Sequence, residues 1–357
     1  MKICFLAGAN SIHSYKWVKY FADKGHNVHW ISLAKNTQGE IKNVNFYEIT
    51  KPFPFNFFEL RKLVKKIKPD IFHAHYAGVN GFLASLLNFH PFILTAWGSD
   101  ILFAGKHFIK KFFVKYALKK ADLITTDATH IKDAILNFDI HTSEIKIICF
   151  GVDVIKFSPG IKNQELQNKL KVLNCPVVIS LRNLDPLYNI ETLIKAIPLV
   201  LREIPDAKFI IAGRGPEEEN LKKLSENLKV LESICFVNWI PQDELSHYLR
   251  IADLYVSTSL SDAGIASSTA EAMACGLSVV ITDFGDNKKW VKDGESGFLM
   301  PLKDYKFLAG KIIYLLRNSE ERVKLGNNAR KVIEEKNNYY KEMEKMEEIY
   351  KGFAKIK

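Results

Sequence analysis

The sequence is short of three things. No run of about 18 apolar residues occurs in its 357 residues, so no stretch reads as a membrane-spanning helix. Its five cysteines (Cys4, Cys149, Cys175, Cys235, Cys275) are scattered in or beside apolar runs without metal-ligand spacing. They read as small core residues of a reducing compartment, which predicts a cytoplasmic protein. Acidic residues are the third shortage: 40 Asp and Glu against 50 Lys and Arg leave a net charge of +10. Internal repeats and low-complexity tracts are absent as well. The N-terminal MKICFLAGANS turns polar too soon for a signal peptide and reads as a first buried strand.

What is present is an alternation. In the first half ICFLA, NVHWISL, DIFHAH, PFILTAW, ADLITT and IKIICF read as strands. Amphipathic patterns such as SYKWVKYFADKG, FFELRKLVKKIK and HFIKKFFVKYALKK lie between most of them. This predicts a parallel sheet covered by helices, with Gly25 and Pro69 stopping the helices before them. At 150–162 the text turns to FGVDVIKFSPGIK, whose Pro-Gly break reads as a linker. The pattern restarts with PVVISL, a helix over 189–203, AKFIIAG, ICFVNW, DLYVSTS and LSVVIT. From Asp304 onward it is helical, and NNYYKEMEKMEEIYKGF is long enough to pack back across the first domain. The expectation is an α/β chain with two Rossmann-like, doubly wound parallel-sheet domains at 1–155 and 156–335, and a crossing-back helix at 336–357. Such sheets bind ligands at the carboxyl ends of their strands, so the two domains are expected to face each other across a cleft.

The most informative stretch is SLSDAGIASSTAEAMACG, residues 259–276. A strand leads into a turn of small residues (Ala263, Gly264, Ala266, Ser267, Ser268), then into an Ala/Met helix that stops at Gly276. Small residues let backbone approach a phosphate, and first-turn N–H groups with the helix dipole favour its charge. Glu271, one turn inside, is able to accept two sugar hydroxyls. The same letters spell a capping box, Ser268 to Glu271, in which the glutamate serves only its own helix start. The stretch alone leaves both readings open.

The second half resembles the donor domain of family 4 glycosyltransferases, retaining enzymes of the two-domain GT-B architecture. FGVDVIKFSP, AGRGPEEENL, FVNWIPQDELSHYLRIADLYVSTS and EAMACGLSVVITDFGDNKKWVKDGESGFLMP follow the family's signatures in order. Coverage is dense from about 145 to 302; earlier, only TAWGSDI and LAGANSIHS are recognisable. The resemblance implies transfer of a sugar from a UDP- or GDP-sugar to a glycan or lipid-linked acceptor, in polysaccharide, glycolipid or glycoprotein glycan biosynthesis. It implies no metal and no cofactor besides the donor, and the chain has no D-x-D. Arg182 would clamp the diphosphate and Glu271 bind the ribose hydroxyls. The loop through Gly264, Ile265, Ala266, Ser267 and Ser268 would cradle the phosphates. Asn238 and Trp239 would edge the base, with Gly8 a donor contact from the first domain.

Three positions depart from the family pattern. The first Glu of E-x7-E is Ala263, which puts Asp262 forward as its substitute. The Lys that accompanies the Arg is Tyr188, and the His of T-x-H-G is Trp97. These departures fit a subgroup with another donor, or a nucleotide-sugar or glycan-binding protein without turnover. A nucleotide-sugar epimerase on the same architecture is the remaining alternative.

On the acceptor side the candidates are His13, His75, Trp97 and Asp100. His13 stands either as a helix cap or as an acceptor contact. His73 and His75 in HAHY share one strand face, and with no third ligand nearby in sequence a structural or acceptor role is expected before a metal. Asp100 in GSDI is expected to cap the segment after it, with acceptor contact as the alternative. The charge excess is uneven: residues 1–155 hold 20 Lys and Arg against 12 Asp and Glu. IKKFFVKYALKK and FNFFELRKLVKKIKP set aromatics among lysines. They read either as core helices with a solvated Lys face or as helices that lay Phe on an anionic bilayer, at the inner face of the membrane. No nucleic-acid module is recognisable, so no nucleic-acid partner is expected.

Overall fold

The computed structural model describes residues 1–102, 108–261 and 265–355. The chain divides into two compact units, Met1–Phe150 with Tyr340–Lys357, and Gly151–Tyr339. In the first unit β1 (Lys2–Leu6), β2 (Asn27–Ser32), β3 (Val44–Glu48), β4 (Ile71–His75), β5 (Phe92–Ala96), β6 (Leu123–Thr126) and β7 (Ile145–Ile147) form one parallel sheet. Their order is β3-β2-β1-β4-β5-β6-β7. Every residue of β4 and β5 is buried, because helices cover both faces. On one face Leu60, Leu83, Val114 and Ile131 bring four helices onto the sheet. On the other, Trp17 and Phe21 from the helix Ile12–Asp23 and Tyr350 from the helix Tyr339–Lys355 pack on Phe5 and His73. The sequence pattern misses β3. It is an edge strand with three of five side chains exposed, so NVNFYE carries no apolar run, and its pairing with β2 alone defines it.

The second unit holds β8 (Val177–Ser180), β9 (Lys208–Ala212), β10 (Ile234–Val237), β11 (Leu254–Ser257), β12 (Ser278–Thr282) and β13 (Phe298–Met300). They are parallel in the order β10-β9-β8-β11-β12-β13. β13 also goes unread in the sequence, for it is three residues long and lies at the edge. In both sheets the strand order reverses beside the first strand of the unit, between β1 and β4 and between β8 and β11. Loops leaving the carboxyl ends there diverge and open a crevice.

The segment read as a linker is packed. Val152 bridges to Asn338, Phe157 is buried, and Arg250 donates to the carbonyls of Lys156 and Ser158. The unit division accordingly falls at 150/151 and 339/340, several residues from the expected 155/156 and 335/336.

Candidate active site

In the second unit the β8–β11 crevice collects most of the residues singled out from the sequence. The loop after β8 carries Arg182, whose Nη1 donates to Ser268 Oγ at 3.5 Å. Its guanidinium lies over the Tyr188 ring, 4.4 Å from the centroid. The aromatic face of Tyr188 therefore helps hold the arginine in place. Ser268 Oγ is also 2.9 Å from the hydroxyl of buried Tyr255, to which Thr269 Oγ1 donates at 3.3 Å. Arg182 is thus tied through one serine to the core of β11.

Backbone packing sets the height of the Arg182 loop. Leu184 N–H donates to the Arg214 carbonyl and Glu217 N–H to the Leu184 carbonyl, both at 2.9 Å. A Cβ on Gly213 would lie 2.3 Å from the Arg182 carbonyl oxygen, and one on Gly215 2.3 Å from that of Leu184. The two glycines of AGRGP are there because backbone meets backbone. On the other side Thr258 Oγ1 donates to the carbonyls of Tyr188 and Asn189, and Leu260 N–H to that of Leu187.

The helix after β11 runs Ser267–Ala274, with Ala266 at its N-cap and no side-chain cap. It closes in a Schellman turn at Gly276, whose φ of +77° suits only glycine well. Glu271 is the fifth helical residue and is buried. Its Oε1 accepts from Gln242 Nε2 at 3.1 Å. The capping-box register is corrected, because the N-cap is Ala266, two residues before Ser268. Glu271 instead meets the loop after β10. Asn238 and Trp239 lie on that same loop and are exposed, Trp239 by 65%. Ile265 and Ala266 are half-buried and Ser267 is exposed. Asp262 and Gly264, with Ala263, lie outside the described residues. Sequence reasoning missed Gln242, Tyr255 and the two glycines; only the quoted AGRGP motif held a signal for the last.

The first unit's crevice holds a second group. Gly8, Asn10, Ser11, His75, Asn80 and Trp97 line part of a cavity of about 430 Å³. His13 stacks on Phe150 at 4.2 Å and meets Trp97 edge-on at 5.3 Å. The helix cap is Ser11, which accepts from Ser14 N–H, so His13 does not cap. Burial, aided by Lys16, lowers the His13 pKa to about 4.

His73 and His75 do share a strand face, 4.7 Å apart, and part in role. His73 bonds through Nδ1 to Tyr350 OH and through Nε2 to Thr95 Oγ1 at 2.6 Å. It is a buried joint between the sheet and the C-terminal helix. His75 is buried among Phe5, Trp17 and Trp97, and neither ring nitrogen has a hydrogen-bond partner among the described residues. Desolvation, then His13, lowers its pKa to about 3. Asp100 sits inside the short helix Ser99–Leu102 rather than before it. It accepts from Ala77 N–H at 2.5 Å and Trp97 N–H at 3.0 Å, joining the loops after β4 and β5. Among the described residues no group of three or more His, Cys, Asp or Glu is placed to hold a metal ion.

Residues 162–332 match the family of glycosyl transferases group 1, and residues 2–128 the glycosyl transferase 4-like family. The chain belongs to the family 4 glycosyltransferases of GT-B architecture. It is 24% identical to N-acetyl-alpha-D-glucosaminyl L-malate synthase of Bacillus anthracis, over 96% of this chain and 93% of that protein. It is 27% identical to the UDP-Gal:alpha-D-GlcNAc-diphosphoundecaprenol alpha-1,3-galactosyltransferase of Escherichia coli, over 83% and 78%. Among solved structures, HepE of Anabaena in complex with UDP superposes with a TM-score of 0.81 at 18% identity, covering 99% of this chain and all of that one. At that identity the likeness speaks for the fold.

Proposed function

We propose that this glycosyltransferase is a retaining, metal-independent enzyme whose donor is a nucleotide diphosphate sugar held in the β8–β11 crevice. The observation that carries the reading is the convergence there of Arg182, the uncapped start of the helix Ser267–Ala274 and buried Glu271. A diphosphate set at the helix start meets N–H dipoles and the Arg182 guanidinium together, and both strengthen as charge grows on the leaving oxygen. Glu271, which accepts from Gln242, is the carboxylate assigned to the ribose hydroxyls. The anomeric carbon parts from the phosphate oxygen and bonds an acceptor oxygen on the same face, and the departing phosphate takes the acceptor's proton. No protein nucleophile enters this scheme. Asn238 and exposed Trp239 edge the base, and Asp262 is assigned to the donor sugar.

The relative from Escherichia coli is named for a UDP-sugar and a lipid diphosphate acceptor, and HepE has been solved with UDP-glucose. These favour a UDP- or GDP-sugar donor and a glycan or lipid-linked acceptor for this chain too. The acceptor enters at the first unit, by His13, His75 and Trp97. Lysine-rich helices of that unit favour an anionic membrane surface at the cytoplasmic face. No helix among the described residues is long and apolar enough to cross a membrane.

The test is a thermal-shift series with UDP, GDP, ADP and TDP and their common sugar conjugates. A ligand at 100 times its Kd stabilises by about 2.7 kcal/mol, which is an easily seen rise in Tm. One responding base family is expected. A folded protein that responds to none would overturn the donor-site reading.

A further inference from the structure

Beside the polar cavity of the first unit lies a larger one of about 800 Å³, and Tyr76 and Val79 line both. Phe53, Phe82, Leu83, Phe113 and Val114 make its wall largely apolar, with the Phe82 and Phe113 rings 4.2 Å apart. Among the described residues two charged groups reach it. Lys110 is one; Asp100 is the other, and its carboxylate is engaged by the N–H groups of Ala77 and Trp97. The two helices that flank the cavity, Phe55–Ile67 and Phe108–Lys120, also hold Phe55, Phe58, Ile109 and Phe112 between 59% and 67% exposed. Stretches 51–68 and 108–120 together carry eleven Lys and Arg and one acidic residue, Glu59.

An apolar hollow of this size is larger than packing leaves inside a core and falls in the range of ligand sites. Its apolar wall rewards hydrocarbon, and the net positive fringe, in which Lys51 pairs with Glu59 and Lys115 with Asp139, rewards an anionic head. We propose that this cavity is a hydrocarbon-chain site for the acceptor, which is then a single-chain anionic amphiphile. The chain lies in the 800 Å³ cavity with its anionic head at the Lys110 rim, and the group to be glycosylated reaches the polar cavity across Tyr76 and Val79. The inference deepens the acceptor reading above and rests on it. A bilayer surface would also meet the exposed phenylalanines and lysines, but a flat surface leaves the hollow between them unfilled.

The full chain is titrated with dodecyl phosphate below its critical micelle concentration, with dodecyl maltoside and inorganic phosphate as controls for chain alone and head alone. One-to-one saturable binding of dodecyl phosphate is expected, at least about tenfold tighter than the maltoside, with none for inorganic phosphate. Phe53→Asp, a change at a side chain 64% exposed, weakens it by about tenfold or more. Lys110→Glu removes the preference for the phosphate head. The proposal is overturned if dodecyl phosphate does not saturate, if Phe53→Asp binds it unchanged, or if the chain binds only phosphatidylglycerol vesicles and no monomeric amphiphile. The nucleotide thermal shift, recorded on the same sample, separates failure of the chain site from failure of the donor reading.

Discussion

Arg182 and Glu271 share one crevice, yet their substitutions should separate in kinetics. On the proposed reading, the Arg182 guanidinium faces charge that grows only as the leaving group departs. Arg182→Ala should therefore lower kcat by about 10² or more and raise KM modestly. Steady-state rates with the responding donor check this, and an unchanged kcat would remove the arginine from the chemistry. Glu271 is assigned to ribose hydroxyls present before and during reaction, so Glu271→Ala should weaken nucleotide binding with a smaller change in kcat. The competing account makes Glu271 a structural acceptor for Gln242. It predicts a lowered Tm with nucleotide affinity untouched, and Gln242→Ala would then lower Tm in the same way. Titration calorimetry beside a melt decides between them.

At the scale of elements, the positions that matter are where backbone approaches backbone. Gly215 presses the turn after β9 onto Leu184, two residues from Arg182. Gly215→Ala forces the two loops apart and should cost about 1–3 kcal/mol as overpacking. Because Arg182 rides on the displaced loop, nucleotide affinity should fall along with Tm. Retained affinity would mean that the loop is placed by its Thr258 and Leu260 bonds instead. Such approaches explain what was legible in the sequence. The buried strands β4, β5, β11 and β12 were plain from their apolar runs, and the helix stop at Gly276 from its glycine. Edge strands β3 and β13 were not, since exposed or very short strands lack the pattern that burial imposes. The Arg182–Tyr188–Ser268 cluster was half legible. Its members stood in motifs, but the guanidinium over the ring is a tertiary contact that no spacing encodes. Gln242 reaching Glu271 from another loop was invisible for the same reason, and the Glu271 capping reading failed by two residues of helix register.

Across the whole molecule the titrating groups are lopsided. Nine of the ten histidines fall in residues 1–150. Burial holds His73 well below its ordinary value, His75 at about 3 and His13 at about 4. These imidazoles stay neutral in the folded protein while their unfolded counterparts protonate below about 6.5. The unfolded state then binds more protons, so stability falls as pH drops through 6.5 towards 4. Each fully buried group contributes a slope of about 1.4 kcal/mol per pH unit, and half-buried His13 less. Two carboxyls act the other way. Burial raises Asp127 to about 6 and also raises Asp100, so the folded state keeps protons there that the unfolded chain has lost above about 4. Asp127, from about pH 6 downward, and Asp100 oppose the histidines, but His26 and His29 are lowered by burial too, so the histidines outnumber the carboxyls and the balance favours unfolding. Tm should therefore fall from pH 7.5 to pH 5, and hydrogen exchange should locate the lost protection in residues 1–150. His75 supplies the sharpest check, because its ring nitrogens lack hydrogen-bond partners among the described residues and its neighbours are aromatic. His75→Phe should keep the Tm at pH 7.5 and flatten the acid branch. If the acceptor uses those nitrogens, the same variant should lose transfer with an intact fold and unchanged nucleotide affinity. A variant whose acid branch matches the wild type would show that His75 is not the group that titrates.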